Sequence, residues 1–169
     1  MADPFAARPP GPLSALGTLV TVATLVIDQA GKLLAEMHLP FGQAINVLPI
    51  LTLYRTYNTG IAFSMLDFAG GLPLIVLSLG IIAVVIVFWW KATEGGSIAA
   101  TGFALILGGA LGNLLDRVLY GHVIDFLLLH FGETVLFVFN LADAALTIGP
   151  VLLLLVYLWP RRTAPKAGG

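Results

Sequence analysis

The chain has 169 residues, of which 59% are hydrophobic and only 10% charged, with a mean hydropathy of +0.99. Soluble domains carry roughly 25% charged residues, so this composition argues against a soluble enzyme, a nucleic-acid binder or a disordered tail. A formal net charge of −1 implies no polyanionic partner, and the lack of cysteine removes disulfides, thiol nucleophiles and thiolate-bound metals.

A bilayer core of ~30 Å takes about 20 mostly apolar helical residues. The first stretch that fits covers about 13–34 and is uncharged until Asp28. Its basic leader is thin and no A-x-A site follows, so an uncleaved span is expected rather than a signal peptide. The tails, 1–12 and 163–169, are rich in Pro, Ala and Gly and are expected to be disordered. Met37–Tyr54 is mostly apolar, yet Pro40, Gly42, Asn46 and Pro49 break any helix there. Ile45–Ser64 is rich in β-branched and aromatic residues, with a turn at Asn58-Thr59-Gly60. It reads as a small sheet-like platform, which must sit at the interface or against protein because open sheet edges cannot face lipid. Further spans are expected over about 70–90, 97–119 and 141–159. Gly102, Gly108, Gly109 and Gly112 in the third suggest close helix packing.

These elements predict a single integral membrane domain. It is an all-α membrane protein with four transmembrane helices and a small β-rich periplasmic platform between helices 1 and 2. Arg8, Lys91, Arg161, Arg162 and Lys166 then share one side, which the positive-inside rule makes cytoplasmic. Trp89, Trp90 and Trp159 fall at helix ends on that side, as interfacial anchors do. Both termini are expected in the cytoplasm, and Gln43–Ser64 and the Tyr120–Phe137 loop outside.

Alternating span directions bring particular ends together on the outer side. Asp28 and Lys32 end the first span, Asn113, Asp116 and Arg117 the third, and Asn140 and Asp143 open the fourth. Asp125 lies in the loop between the last two. Ionisable groups at membrane depth are costly and usually functional. Each also has a plainer reading. Asp28 and Lys32, at i and i+4, can form a local ion pair. Asn113, Asp116 and Arg117 can form a structural clamp, with Arg117 neutralising Asp116. Asn140 and Asp143 can cap a helix. His122 and His130 flank Asp125, but no third ligand at helical spacing supports a metal site. Asp67 and Glu133 read as ordinary loop charges.

No serine has a basic partner at suggestive spacing, which leaves paired carboxylates. Two aspartates held close share a proton, so that one activates water while the other protonates the substrate, without metal or cofactor. Asp143 has two possible partners. Asp116 has cations nearby that would keep it ionised, whereas Asp125 has the apolar neighbours Val123, Ile124 and Phe126, so the electrostatics lean to Asp125. A small transporter or channel using the same cluster as an ion path is the alternative, although the apolar remainder of spans two and four argues for a one-sided site. A structural subunit of a larger complex is a further reading.

Between about Leu25 and Ile148 the chain resembles the lipoprotein signal peptidases (signal peptidase II), a bacterial family of intramembrane aspartic proteases. The shared motifs are Asp28-Gln29-x-x-Lys32, Tyr57-Asn58-Thr59-Gly60-Ile61-Ala62-Phe63-Ser64, Gly108 through Arg117, Gly121-His122-Val123-Ile124-Asp125-Phe126 and Phe139-Asn140-Leu141-Ala142-Asp143. Any one is weak; all in order are specific. The resemblance implies four spans in the bacterial inner membrane and Asp125 and Asp143 as the catalytic pair. It implies that Asn58, Gly60, Asn113, Arg117 and Asn140 shape the substrate site, supported by Asp28, Lys32 and Asp116. It also implies cleavage of diacylglyceryl-modified prolipoproteins before the lipidated cysteine. Membrane lipid is the expected surrounding, no nucleic acid, metal or cofactor is expected, and nothing demands more than a monomer.

Overall fold

A computed structural model of the chain describes residues 6–60 and 72–158. Motif residues Ile61–Ser64, together with Asp67, Trp159, Arg161, Arg162, Lys166 and the tail residues 1–5 and 163–169, lie outside the described residues. Among the described residues four helices, α1 (Ala15–His38), α2 (Leu72–Lys91), α3 (Gly96–Tyr120) and α4 (Leu141–Leu158), are each long and apolar enough to cross a membrane. α1 starts on Ser14, whose Oγ accepts the Gly17 N–H at 3.1 Å, and it stops at Leu39, ahead of Pro40, where the helical conformation is disfavoured.

α3 is the central helix and is flanked by the other three. Its small residues explain the fit. Gly108 and Gly112 face α1, so that a Cβ on Gly112 would lie 2.6 Å from Asp28 Oδ2. Gly102 and Gly109 face α4, and a Cβ on Gly109 would lie 2.5 Å from the Ala142 carbonyl oxygen. Such side chains let backbones approach where lipid supplies no hydrophobic drive to associate. At the far end, Trp89 is almost fully buried and stacks on Phe103 at 5.7 Å.

Residues 6–12, expected to be disordered, instead run across the α2–α3 junction. Trp89 Nε1 donates to the Pro10 carbonyl at 2.8 Å and Gly96 N to the Ala7 carbonyl at 2.8 Å. A buried indole N–H and the orphan donors at a helix start need acceptors, and this segment supplies them.

The second difference concerns the sheet. Four antiparallel strands, β1 (Ala44–Leu48), β2 (Leu51–Asn58), β3 (Val123–Phe131) and β4 (Thr134–Phe139), lie in the order β1-β2-β3-β4. Half of the platform therefore comes from the α3–α4 connection, where only a loop was expected. The two connections pair through β2 and β3, with Asn58 opposite Val123, Tyr57 opposite Ile124 and Thr56 opposite Asp125. Successive strand residues point to opposite faces, so Asn58 and Asp125 share one face and Tyr57 and Ile124 the other.

Candidate active site

The C-terminal ends of α1 and α3, the N-terminal end of α4 and the start of β3 meet beside the sheet. All ten residues singled out from the sequence stand at this end of the bundle, in two adjoining clusters.

The first cluster is built on Lys32, which is 2% exposed. Its ammonium lies 2.7 Å from Asp28 Oδ2 and 2.8 Å from Asp116 Oδ2, and it donates to Asn113 Oδ1 at 3.1 Å. Both carboxylates have further donors. Asp28 Oδ1 accepts the Ala142 N–H at 2.8 Å, and Asp116 accepts Gln29 Nε2 at 2.8 Å and the Ile124 N–H at 3.2 Å. The cluster thus fastens α1 to α3, to the first turn of α4 and to the start of β3. Gln29, quoted only as part of a motif, is a working member of it; its place one residue after Asp28 was the available signal.

Arg117 does not neutralise Asp116 as expected. Its guanidinium donates to the Asn113 carbonyl at 3.3 Å and lies within electrostatic reach of Asp143, Asp116 and Asp125. Lys32 reaches Asp116 first because a lysine one helix away can point straight at it, whereas Arg117 follows Asp116 in the same helix and projects about 100° round the axis.

The second cluster holds Asp125 and Asp143. Asp125 is 2% exposed; Oδ1 accepts Asn140 Nδ2 at 2.7 Å and Oδ2 accepts Asn58 Nδ2 at 2.9 Å. Asp143 Oδ1 accepts Asn113 Nδ2 at 2.7 Å, and Oδ2 accepts the Asn140 N–H at 3.2 Å. The Asp143 N–H returns to Asn140 Oδ1 at 3.0 Å, completing a reciprocal cap at the start of α4. The capping reading of Asn140 and Asp143 therefore holds, and the same cap sets them beside Asp125. Burial pushes the Asp125 carboxyl up to about 6, and the nearby Asp143 charge adds to this against the amide donors Asn58 and Asn140 and the charge of Lys32.

Each amide in this cluster is oriented by a partner that can only donate. The Gly60 N–H donates to Asn58 Oδ1 at 2.8 Å, which turns Nδ2 toward Asp125. Gly60 has φ +86°, a conformation for which glycine is favoured. The Asp143 N–H holds Asn140 Oδ1 in the same way. The two carboxylates are thus bridged by Asn140 and surrounded by neutral donors.

A cleft of about 620 Å³ opens between β4 and α4, with Asn58 and Asp143 at its polar end and Phe137, Phe139 and Ile148 along its sides. His122 packs its ring on Tyr57 at 4.1 Å, and His130 Nε2 lies 3.0 Å from Thr52 Oγ1. Among the described residues no cluster of His, Cys, Asp and Glu could hold a metal ion.

This arrangement of helices and sheet is that of a bacterial membrane enzyme. A bacterial membrane enzyme structure solved in meso at 1.9 Å resolution superposes with a TM-score of 0.79 at 25% identity, covering 95% of this chain and all (100%) of that one. A second, at 2.3 Å resolution, superposes with a TM-score of 0.71 at 26% identity over 87% of this chain and 93% of that one. The sequence family described as signal peptidase (SPase) II matches residues 20–159. A lipoprotein signal peptidase of Mesorhizobium japonicum is 46% identical over 148 residues, 88% of this chain and 88% of its own length. One from Brucella ovis is 46% identical over 136 residues, 80% of this chain and 85% of its own. The chain belongs to the lipoprotein signal peptidase (signal peptidase II) family, a family of proteases.

Proposed function

We propose that this protein is an aspartic endopeptidase of the bacterial inner membrane that removes signal peptides from diacylglyceryl-modified prolipoproteins by cleaving before the lipidated cysteine. The observation that carries the reading is the joint hold of Asn140 on Asp125 and Asp143. In the reaction the pair holds one proton. The ionised carboxylate takes a proton from water as its oxygen bonds to the scissile carbonyl carbon, and the protonated one donates to the carbonyl oxygen. Collapse of the tetrahedral intermediate breaks the C–N bond, and the amine leaves with a proton returned from the pair. Asp125, kept protonatable to about 6 by burial, suits the acid role. Arg117, with Nε buried and unpartnered among the described residues, suits a contact to the substrate backbone.

The buried polar side chains gather at the sheet end of the bundle, which supports a one-sided site over an ion path through the bilayer. With Arg8 and Lys91 at the other end of the bundle by chain direction, the sheet and the site lie on the periplasmic side and both termini in the cytoplasm. A substrate carrying acyl chains then reaches the cleft beside α4 by lateral diffusion in the outer leaflet. The deciding experiment is cleavage of a lipidated prolipoprotein by the purified protein in detergent. Processing that Asp125→Asn and Asp143→Asn each abolish supports the reading; processing that both variants retain rejects it.

A further inference from the structure

An ammonium at 2% exposure with two carboxylate partners already has its charge compensated. Its third hydrogen goes elsewhere, to Asn113 Oδ1 at 3.1 Å, and the other end of that amide, Nδ2, donates to Asp143 Oδ1 at 2.7 Å. An ammonium cannot accept, so it dictates which end of the amide faces it. Asn140 Nδ2, at 3.2 Å from the same Oδ1, agrees with that orientation. We propose that Lys32 is a positioning residue for the cleavage reaction: by holding the oxygen end of Asn113, it presents the NH2 end to Asp143 and fixes that carboxylate against Asp125.

The inference rests on the proposed catalytic role of Asp143, and it gives Lys32 a task that an ion pair alone would not need. Asn58 and Asn140 have their oxygen ends held by backbone N–H groups, which no side-chain substitution removes. The oxygen end of Asn113 is held by two side chains, of which Lys32 is the only one outside the cluster of amides and catalytic carboxylates. The hold of the site on Asp143 is therefore open to mutation in a way the hold on Asp125 is not.

The test separates turnover from binding and folding. Lys32→Met alone strands two buried carboxylates, so it is combined with Asp28→Asn, which leaves the net charge of the cluster unchanged, and compared with Asp28→Asn alone. The double variant is expected to lose about 10–100-fold in kcat relative to Asp28→Asn, the scale of a misplaced reacting group, with KM for a lipidated prolipoprotein peptide unchanged when both are assayed below their unfolding midpoints; its midpoint in detergent should fall, because Asp116 has lost its ammonium. The same two substitutions placed on Asn113→Ala should cost little further kcat, because the path runs through Asn113. Asn113→Leu keeps the bulk and every ion pair but cannot donate to Asp143; it should stay folded and lose kcat by a similar factor or more. Wild-type kcat in Asn113→Leu, or a full extra loss for Lys32 on the Asn113→Ala background, overturns the proposal. If the charge-balanced variant does not fold, wild-type kcat in Asn113→Leu still overturns the proposal, and a loss confined to kcat supports it. Normal cleavage by Asp143→Asn would instead reject the catalytic reading itself, whatever Lys32 does.

Discussion

Two carboxylate clusters lie side by side at the sheet end of this bundle, and they differ in what fills the space between the acids. Between Asp28 and Asp116 stands an ammonium, 2.7 and 2.8 Å from the two groups. Around Asp125 and Asp143 stand the amides of Asn58, Asn113 and Asn140 and one backbone N–H. A cation between acids pairs with both and leaves a fastening. Neutral amides orient two acids without neutralising them, and burial together with the nearby Asp143 charge pushes the Asp125 carboxyl up. On the proposed reading, the same residue type serves structure or chemistry according to whether its neighbour carries a charge.

The sharpest way to break this contrast is to neutralise one acid in each cluster. Asp125→Asn and Asp143→Asn should each remove cleavage of a lipidated prolipoprotein by at least about 10³-fold, and the double variant should be scarcely worse, as expected of groups that act as a unit. Asp116→Asn should lose far less activity and chiefly lower the melting temperature. A dead Asp116→Asn beside an active Asp125→Asn would reverse the two assignments.

Next in size is the loss of the cation. Lys32→Met leaves two buried carboxylates without their counter-charge, a destabilisation of about 3–5 kcal/mol, read as a lower midpoint in detergent thermal unfolding. Equal stability would mean that the amide and backbone donors to Asp28 and Asp116 suffice. Gly109→Ala, whose Cβ would sit 2.5 Å from the Ala142 carbonyl, forces the start of α4 away from α3 and should cost about 1–3 kcal/mol. It should also slow cleavage, because Asp143 rides on that first turn. Activity that survives the loss of stability would show that the pair does not depend on this packing.

How far the sequence reveals all this follows the same division. Apolar length alone marks the four helices, since lipid imposes one simple requirement on a span. The i, i+4 spacing of Asp28 and Lys32 predicts the ion pair found, and the turn at Asn58-Thr59-Gly60 ends β2 where expected. The β3–β4 hairpin escapes, because Phe126-Leu127-Leu128-Leu129 is an unbroken apolar run with no alternation to show a strand. Its available signal is Gly132, at φ +56° between two β-branched and aromatic segments. Arg117 is misjudged for a different reason: adjacency in sequence suggests a partner that helical geometry turns away. The orientation of the Asn113 amide is beyond sequence, since it depends on Lys32 brought in from α1 and Asn140 from the start of α4.

Two pH measurements sharpen the contrast further. The Asp125 carboxyl, pushed up to about 6 by burial and by Asp143 against the pull of Asn58, Asn140 and Lys32, should set the alkaline limb of kcat/KM near that pH in the free enzyme. Asn58→Ala removes a donor that favours the ionised form, so the limb should move to higher pH. A limb that stays in place would belong to another group.

The smallest expected effect concerns stability. The folded value for Asp125 lies above the ordinary 3.8, so the stability tied to this group is complete below pH 3.8 and is lost as the pH rises through about 6. That difference amounts to roughly 2–3 kcal/mol for a residue so fully buried. Asparagine cannot ionise and escapes the loss, but its NH2 must face a donor amide of Asn58 or Asn140, a cost that does not vary with pH. The melting temperature of Asp125→Asn relative to wild type should therefore climb between pH 4 and pH 8 and level off above. If Asp125→Asn keeps a constant offset across that range, the acid is not held protonatable by its surroundings, and the distinction between an acid facing a cation and an acid facing amides fails at its chemical end.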